Sequence, residues 1–429
     1  MKRIISLLLL IFAMAGAYPS WSQVDYATFF TGERLRYDFL LAGNATDTKV
    51  YPVQARQEPF WGGSTTNLVD TLGFGTFRYL VKDEASGRVI FSRGFSTLFQ
   101  EWQTTAEAKR VDKSFYQAVF FPFPKQKVRL TIESRQWKGE FLPVFEMTIN
   151  PSDYFIGRDK PGESTVIPVL ENGKPETHVD LVFLAEGYTP EEKEKFILDA
   201  SRMCENIMAA SPFRENRDRF NVLAVWTPSE ESGTDIPGEH IYRNTRFNST
   251  FYTFDLDRYL TTSDMRSVYD AVAGVPWDHL VVLVNSERYG VGGFYNFLTV
   301  CTTGHALTPK VLVHELGHAF AGLGDEYYNS TVAYENCYNL AIEPWEPNLT
   351  TLVDFGSKWK EMVADSVPVP TPRRPVYLQV TGAFEGGGYL EKGIFSPMQD
   401  CRMKSNGPDE FCPVCKKAIR VAIDWHTRK

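Results

Sequence analysis

From Asp25 to about Tyr154, apolar and polar residues alternate in short runs broken by Gly, Pro and Asn. The runs Arg34-Leu35-Arg36-Tyr37-Asp38-Phe39-Leu40 and Lys127-Val128-Arg129-Leu130-Thr131-Ile132 have the period of two that sends alternate side chains to opposite faces of a strand. Few stretches here carry a helical period, so this half is expected to be an antiparallel β-sandwich. Residues 157–178, rich in Gly, Pro, Lys and Glu, read as a linker. The pattern changes at Asp180. Leu181-Val182-Phe183-Leu184-Ala185 is a continuous apolar run of buried-strand type, followed by a loop at Glu186-Gly187-Tyr188. A helix is predicted next, opened by a Thr189/Glu192 capping box around Pro190 and running to about Ala210. Residues 221–226, 279–284 and 297–302 predict further strands, and residues 255–273 another helix. Strands alternating with helices indicate an α/β domain. The expected architecture is two domains, residues 23–158 and 159–429.

The chemistry concentrates in one segment, Thr308-Pro309-Lys310-Val311-Leu312-Val313-His314-Glu315-Leu316-Gly317-His318, which continues through Gly322 and Gly324 to Asp325-Glu326-Tyr327. Thr308 suits an N-cap and Pro309 the first helical turn. Residues four apart share a helix face, so His314 and His318 can grip one Zn2+. Glu315 cannot comfortably bind the same ion, but it can accept a proton from water held there. The apolar approach Val311-Leu312-Val313 fits a helix buried beneath a cleft, and the glycines point to close packing and a sharp stop. A third protein ligand is needed, leaving one position for water. Asp325 is the nearest candidate and Glu326 the alternative; the other of the two would orient a histidine or face solvent.

Composition narrows the setting. A chain of 429 residues is more than one core usually organises. A formal charge of -8 argues against a nucleic-acid partner, which needs a basic surface. Lys2 and Arg3 precede an apolar run over residues 4–17, and Ser20-Trp21-Ser22 offers small residues to a signal peptidase, so residues 1–22 read as a signal peptide. That run is short for a membrane span and no later one is long enough. The mature chain is therefore expected to be secreted, periplasmic or at the cell surface, with no membrane span.

Six cysteines, Cys204, Cys301, Cys337, Cys401, Cys412 and Cys415, suggest disulfides or ordinary thiols. Cys412-Pro413-Val414-Cys415 has only Cys401 near it in sequence, and no second such pair exists to complete a four-sulfur metal site. His178, His240, His279, His305 and His426 stand apart from the motif. Asn44, Asn248, Asn329 and Asn348 begin Asn-x-Ser/Thr sites, which matter where the producing cell glycosylates them.

Residues 314–327, with HExxH followed after a glycine-containing turn by Asp-Glu-Tyr, resemble the IgA-peptidase family of zinc metallopeptidases. Residues 180–189, Gly292-Gly293-Phe294-Tyr295-Asn296, Cys401-Arg402-Met403 and the Cys412/Cys415 pair are similar to the same family. The resemblance covers most of residues 180–425, and residues 25–154 look like the β-rich N-terminal domain of some members. It implies a metzincin-like catalytic domain with a methionine-bearing turn beneath the zinc, for which Met403 is the best match and Met398 the second. One departure stands out: the position six after the second histidine is Gly324, and the carboxylate comes one residue later. Nothing in the chain marks an antibody-binding surface, so immunoglobulin A is not carried over as substrate.

The expected function is a secreted zinc-dependent endopeptidase acting on extracellular proteins, with Glu315 as general base. Gly293, Phe294 and Tyr295 are expected on the cleft rim, pairing with an extended protein or peptide substrate. Tyr327 and Tyr328 are candidate donors to the developing oxyanion. Two other classes compete: a zinc-containing surface protein that binds a glycan or host protein, and a zinc hydrolase of a non-protein amide. An intact Glu315 argues against the first, and a substrate profile separates the second. The pattern specifies no oligomeric state.

Overall fold

The computed structural model describes residues 24–162, 164–328 and 338–427; the expected signal peptide, Asn329 and Cys337 lie outside them. A single turn, α1 (Tyr26–Phe29), leads into a three-stranded antiparallel sheet in which β1 (Phe30–Gly43) lies between β2 (Thr48–Glu58) and β5 (Lys113–Pro124). A second antiparallel sheet follows the order β4 (Val89–Phe95), β3 (Phe77–Asp83), β6 (Val128–Arg135), β7 (Phe141–Ile149). The short helix α2 (Leu98–Gln103) connects β4 to β5. Because side chains alternate along β1, Leu35, Tyr37, Phe39 and Leu41 meet Tyr79, Val81, Leu130 and Ile132 of the other sheet in one core.

The opposite face of β1 carries Arg34, Arg36 and Asp38, yet none of the three is more than 2% exposed. It packs on the second half of the chain. Arg36 Nη1 pairs with Asp270 Oδ1 at 2.6 Å, Arg36 Nε with Asp38 Oδ1 at 2.6 Å, and Arg34 Nη2 donates to Val272 O at 3.2 Å. Arg93, from β4, lies 4.1 Å from the Trp425 ring near the C-terminus.

The second half is built on a six-stranded mixed sheet of order β12 (Val291–Phe294), β13 (Leu298–Thr302), β11 (His279–Val284), β9 (Val179–Glu186), β10 (Phe220–Trp226), β8 (Thr165–Leu170). The four inner strands are parallel and the two edge strands antiparallel. Inner strands read as unbroken apolar runs because both faces are covered. On one face lie α3 (Lys193–Ala209), α5 (Thr308–Ala321) and α6 (Pro413–Thr427), which share a core with the sheet through Phe196, Leu316 and Ile419. On the other lies α4 (Met265–Ala271), together with Leu98 and Ala118 from the N-terminal half. A hairpin of β14 (Phe384–Gly387) and β15 (Leu390–Ser396) precedes α6. No helix among the described residues is long and apolar enough to cross a membrane.

The four buried strands and the capping box appear where the pattern puts them, with the Thr189 N–H donating to Glu192 Oε2 at 2.9 Å. Three expectations need correction. Residues 157–178 are more than a linker, since the β-branched run within Thr165–Leu170 forms edge strand β8. Residues 255–273 are not one helix. Phe254 and Asp255 take φ of 54° and 62°, the chain then runs beside β12, and the helix begins only where Asp264 caps Ser267 N. Finally, Leu307 rather than Thr308 occupies the N-cap of α5, and the Thr308 hydroxyl donates to Thr302 O at 2.9 Å.

Candidate metal centre

Helix α5 ends sharply. Gly322 takes φ of 65° and its N–H donates to His318 O at 3.0 Å, the 5→1 bond of an αL cap, while the Leu323 N–H reaches back to Gly317 O at 3.0 Å. That turn brings the Leu323 carbonyl under the second histidine, where His318 Nδ1 meets it at 2.6 Å. His314 Nδ1 is held in the same way by Arg402 O at 2.8 Å. A carbonyl can only accept, so each Nδ1 carries the proton and each Nε2 presents a lone pair.

The two Nε2 atoms stand 3.0 Å apart, and Asp325 Oδ1 lies 3.1 Å from one and 3.2 Å from the other. Three acceptor atoms thus converge on one point, and Asp325 Oδ1 is buried without a hydrogen-bond donor among the described residues. Acceptors crowd together like this only around a cation or shared protons. Ligand atoms about 2.0–2.1 Å from a single zinc ion would stand roughly 3.0–3.4 Å apart, so the residues suit such an ion. Protons take the cation's place when it is absent. Burial opposes a charged His318, but Asp325 prevails and pushes its pKa up to about 10. Burial likewise opposes ionisation of Asp325, yet His318 and His314 hold that carboxyl well below the usual range.

Glu315 lies beside this triangle, against Gly293 of β12. It is 8% exposed, and burial pushes its carboxyl up against the pull of His314 and His318. Gly293 makes room for it: a Cβ there would sit 2.8 Å from Glu315 Oε2 and 2.8 Å from Glu315 O.

The pattern of the family described as IgA Peptidase M64 matches residues 167–379 and 375–423, and that described as Peptidase M64 N-terminus matches residues 25–146. The chain belongs to the IgA peptidase M64 family. No curated protein matches it. Membership makes it a metallopeptidase, a hydrolase of protein substrates that uses a metal, and the group His314, His318 and Asp325 is placed to hold one.

Asp325 and Glu326 are separated by backbone geometry. Residues 325–327 of this M64 chain run as an extended strip: Glu326 N donates to Met403 O at 2.8 Å, Gly388 N to Asp325 O at 2.7 Å and Tyr389 N to Tyr327 O at 3.0 Å. Successive side chains of an extended strip face opposite ways. Asp325 and Tyr327 therefore face the histidines, whereas Glu326 faces the other side with Cys415 Sγ at 3.2 Å. Tyr328, two residues on, falls on the side of Glu326, its ring beneath Lys404 Nζ at 5.0 Å. Tyr327 packs on Tyr389 with ring centroids 5.4 Å apart and hydrogen-bonds to Asp325. Met403 is fully buried against α5, its Sδ 2.7 Å from where a Cβ on Gly317 would be, while Met398 is 9% exposed.

Several site residues escape sequence reasoning. The Tyr389 hydroxyl donates to Asp325 Oδ2, and Arg258 faces Tyr327, Asp325 and Glu315. Asn348 locks the turn, accepting from Gly324 N at 2.7 Å and donating to Gly324 O at 2.9 Å. As it is fully buried, it is closed to glycosylation in the folded chain. A cleft of about 530 Å³ runs from His318, Asp325 and Tyr389 past Gly293, Phe294 and Tyr295. Its far wall comes from the N-terminal half, including Gln100, Glu101, Arg135 and Trp137. No sequence signal places those residues there, because they reach the centre only through the packing of the two halves.

Proposed function

We propose that this protein is an exported, zinc-dependent endopeptidase with a metzincin-like catalytic domain, and that His314, His318 and Asp325 hold the zinc. The observation that carries this reading is the convergence of His314 Nε2, His318 Nε2 and Asp325 Oδ1, with both Nδ1 atoms committed to carbonyls. Zinc supplies Lewis acidity when bound, polarising a peptide carbonyl and bringing the pKa of water towards about 7. Glu315 accepts the proton of the attacking water and returns it to the leaving amine. Tyr389 and Tyr327 orient Asp325, and Met403 supports the helix at Gly317 in the manner of a methionine turn.

The substrate lies as an extended chain along the cleft beside β12. The outer edge of β12 is partly taken, by Leu260 N on Val291 O at 3.3 Å and Ser96 N on Tyr295 O at 2.9 Å. Gly293, between those points, faces the substrate, with Phe294 buried behind it.

Glu315→Gln tests the mechanism. Turnover of a peptide library should fall by about 10²–10⁴-fold with metal content unchanged. Near-normal turnover in that variant would remove Glu315 as base. A wild-type chain that bears the metal yet cleaves no peptide would point to a binding protein or a non-protein amide instead.

A further inference from the structure

A second convergence lies behind the first. Glu326, Cys401, Cys412 and Cys415 are all buried, and one ligand atom from each lies within 4.8 Å of all the others. Cys401 Sγ and Cys415 Sγ stand 3.9 Å apart, and Cys415 Sγ is 3.2 Å from Glu326 Oε1. Around one tetrahedral zinc, sulfurs at about 2.3 Å stand roughly 3.8 Å apart, and a sulfur and a carboxylate oxygen roughly 3.5 Å apart. A disulfide would need about 2.05 Å, and three thiols cannot all pair among themselves.

Two further observations point to a bound cation. Glu326 is fully buried, and its Oε2 has no hydrogen-bond donor among the described residues. Backbone amides converge on the sulfurs as well: Cys412 N donates to Cys401 Sγ at 3.2 Å and Cys415 N to Cys412 Sγ at 3.5 Å. Such bonds suit thiolates, the form that binds metal. Cys204 and Cys301, also buried, sit in the apolar core and belong to no such group among the described residues. The sequence gives no second cysteine pair; a carboxylate from the far side of the active-site turn completes the set.

We propose that Glu326, Cys401, Cys412 and Cys415 form a second, structural zinc site. Soft thiolates select zinc among the common hard and borderline cations, and four protein ligands leave no open position for chemistry. The site ties together three segments that frame the first centre. Glu326 adjoins Asp325, Cys401 adjoins the Arg402 carbonyl that holds His314, and Cys412 and Cys415 flank the start of α6. This assignment is independent of what the histidine centre does.

The test counts zinc in full chain purified without chelator. Elemental analysis should find two equivalents in wild type and one in the His314→Ala/His318→Ala double variant. Cobalt loaded into that double variant should give an intense near-ultraviolet sulfur-to-metal charge-transfer band, lost in a further Cys401→Ser/Cys415→Ser change. The histidine centre has no sulfur, so the band reports the second site alone. A double variant that holds no zinc and shows no such band overturns the proposal, whether or not the cysteine variants fold. So does a disulfide joining any two of the three cysteines in fresh wild type, found by non-reducing peptide mass spectrometry.

Discussion

At the scale of the residue, the centre depends on contacts that fix three acceptor atoms and keep Glu315 apart from them. Gly293→Ala would drive a methyl group into Glu315 Oε2 and its carbonyl, both 2.8 Å from the new atom. The carbonyl is part of the helix and cannot yield, so the carboxylate and β12 must move. Displacements of this size at a reacting group cost on the order of 10²-fold in rate. We expect that loss in kcat with metal content intact, read by turnover beside elemental analysis; a variant as fast as wild type would show the space to be unneeded. Tyr389→Phe removes the hydroxyl that donates to Asp325 Oδ2. Supporting bonds of this kind are worth about 10–100-fold in metal affinity. Competition against a chelator of known strength should show that drop, and unchanged affinity would assign Tyr389 a packing role only.

At the scale of the element, β9 carries a titration of its own. Asp180 lies one residue into the strand, beside Asp278, and burial, then Asp278, push its carboxyl up to about 8. In the unfolded chain an aspartate titrates near 3.9, roughly. Between these values the folded chain holds a proton that the unfolded chain has released, so stability falls as pH rises through the window. Asp180→Asn mimics the protonated acid. Its stability relative to wild type should increase steadily from pH 4 to pH 8, as measured by denaturant melts across that range; a flat difference would show Asp180 to be ionised in the fold.

Elements were also where the sequence was most readable. The strands around Val182, Val222 and Val281 are legible because burial on both faces demands unbroken apolar runs, and α5 because its histidines keep helical spacing. Residues 255–273 misled because their apolar spacing fits a helix, while the φ of Phe254 and Asp255 is set by packing against β12. The choice between Asp325 and Glu326 was closed to sequence for a related reason. Both are carboxylates past a glycine turn, and hydrogen bonds with Gly388, Tyr389 and Met403, some sixty to eighty residues on, make that strip extended.

At the scale of the whole molecule, the two matched family regions share buried material. Leu98 and Ala118 of the N-terminal half sit in the same core as Val182 and Val282. Arg36, fully buried, bridges Asp38 and Asp270 across the junction. Removing one partner of a buried pair strands the others, at about 3–5 kcal/mol. Arg36→Ala should therefore lower the unfolding free energy by that order. Calorimetry of wild type should show one cooperative transition, and two resolved transitions would show that the halves fold independently. Since the N-terminal half also forms the far wall of the cleft, its loss would open the site as well as destabilise it.

The extended strip at residues 325–327 has a consequence for chain length. Its two adjacent carboxylates serve opposite sides, so the positions are locked in phase. One residue inserted between Gly324 and Asp325 would preserve every ligand's chemical identity and the net charge. It would nonetheless put the inserted residue opposite the histidines, turn the aspartate towards the sulfurs and leave the glutamate in the place of Tyr327. Two inserted residues would restore the phase at the cost of slack in the turn. Parity, as much as composition, is what this stretch must keep.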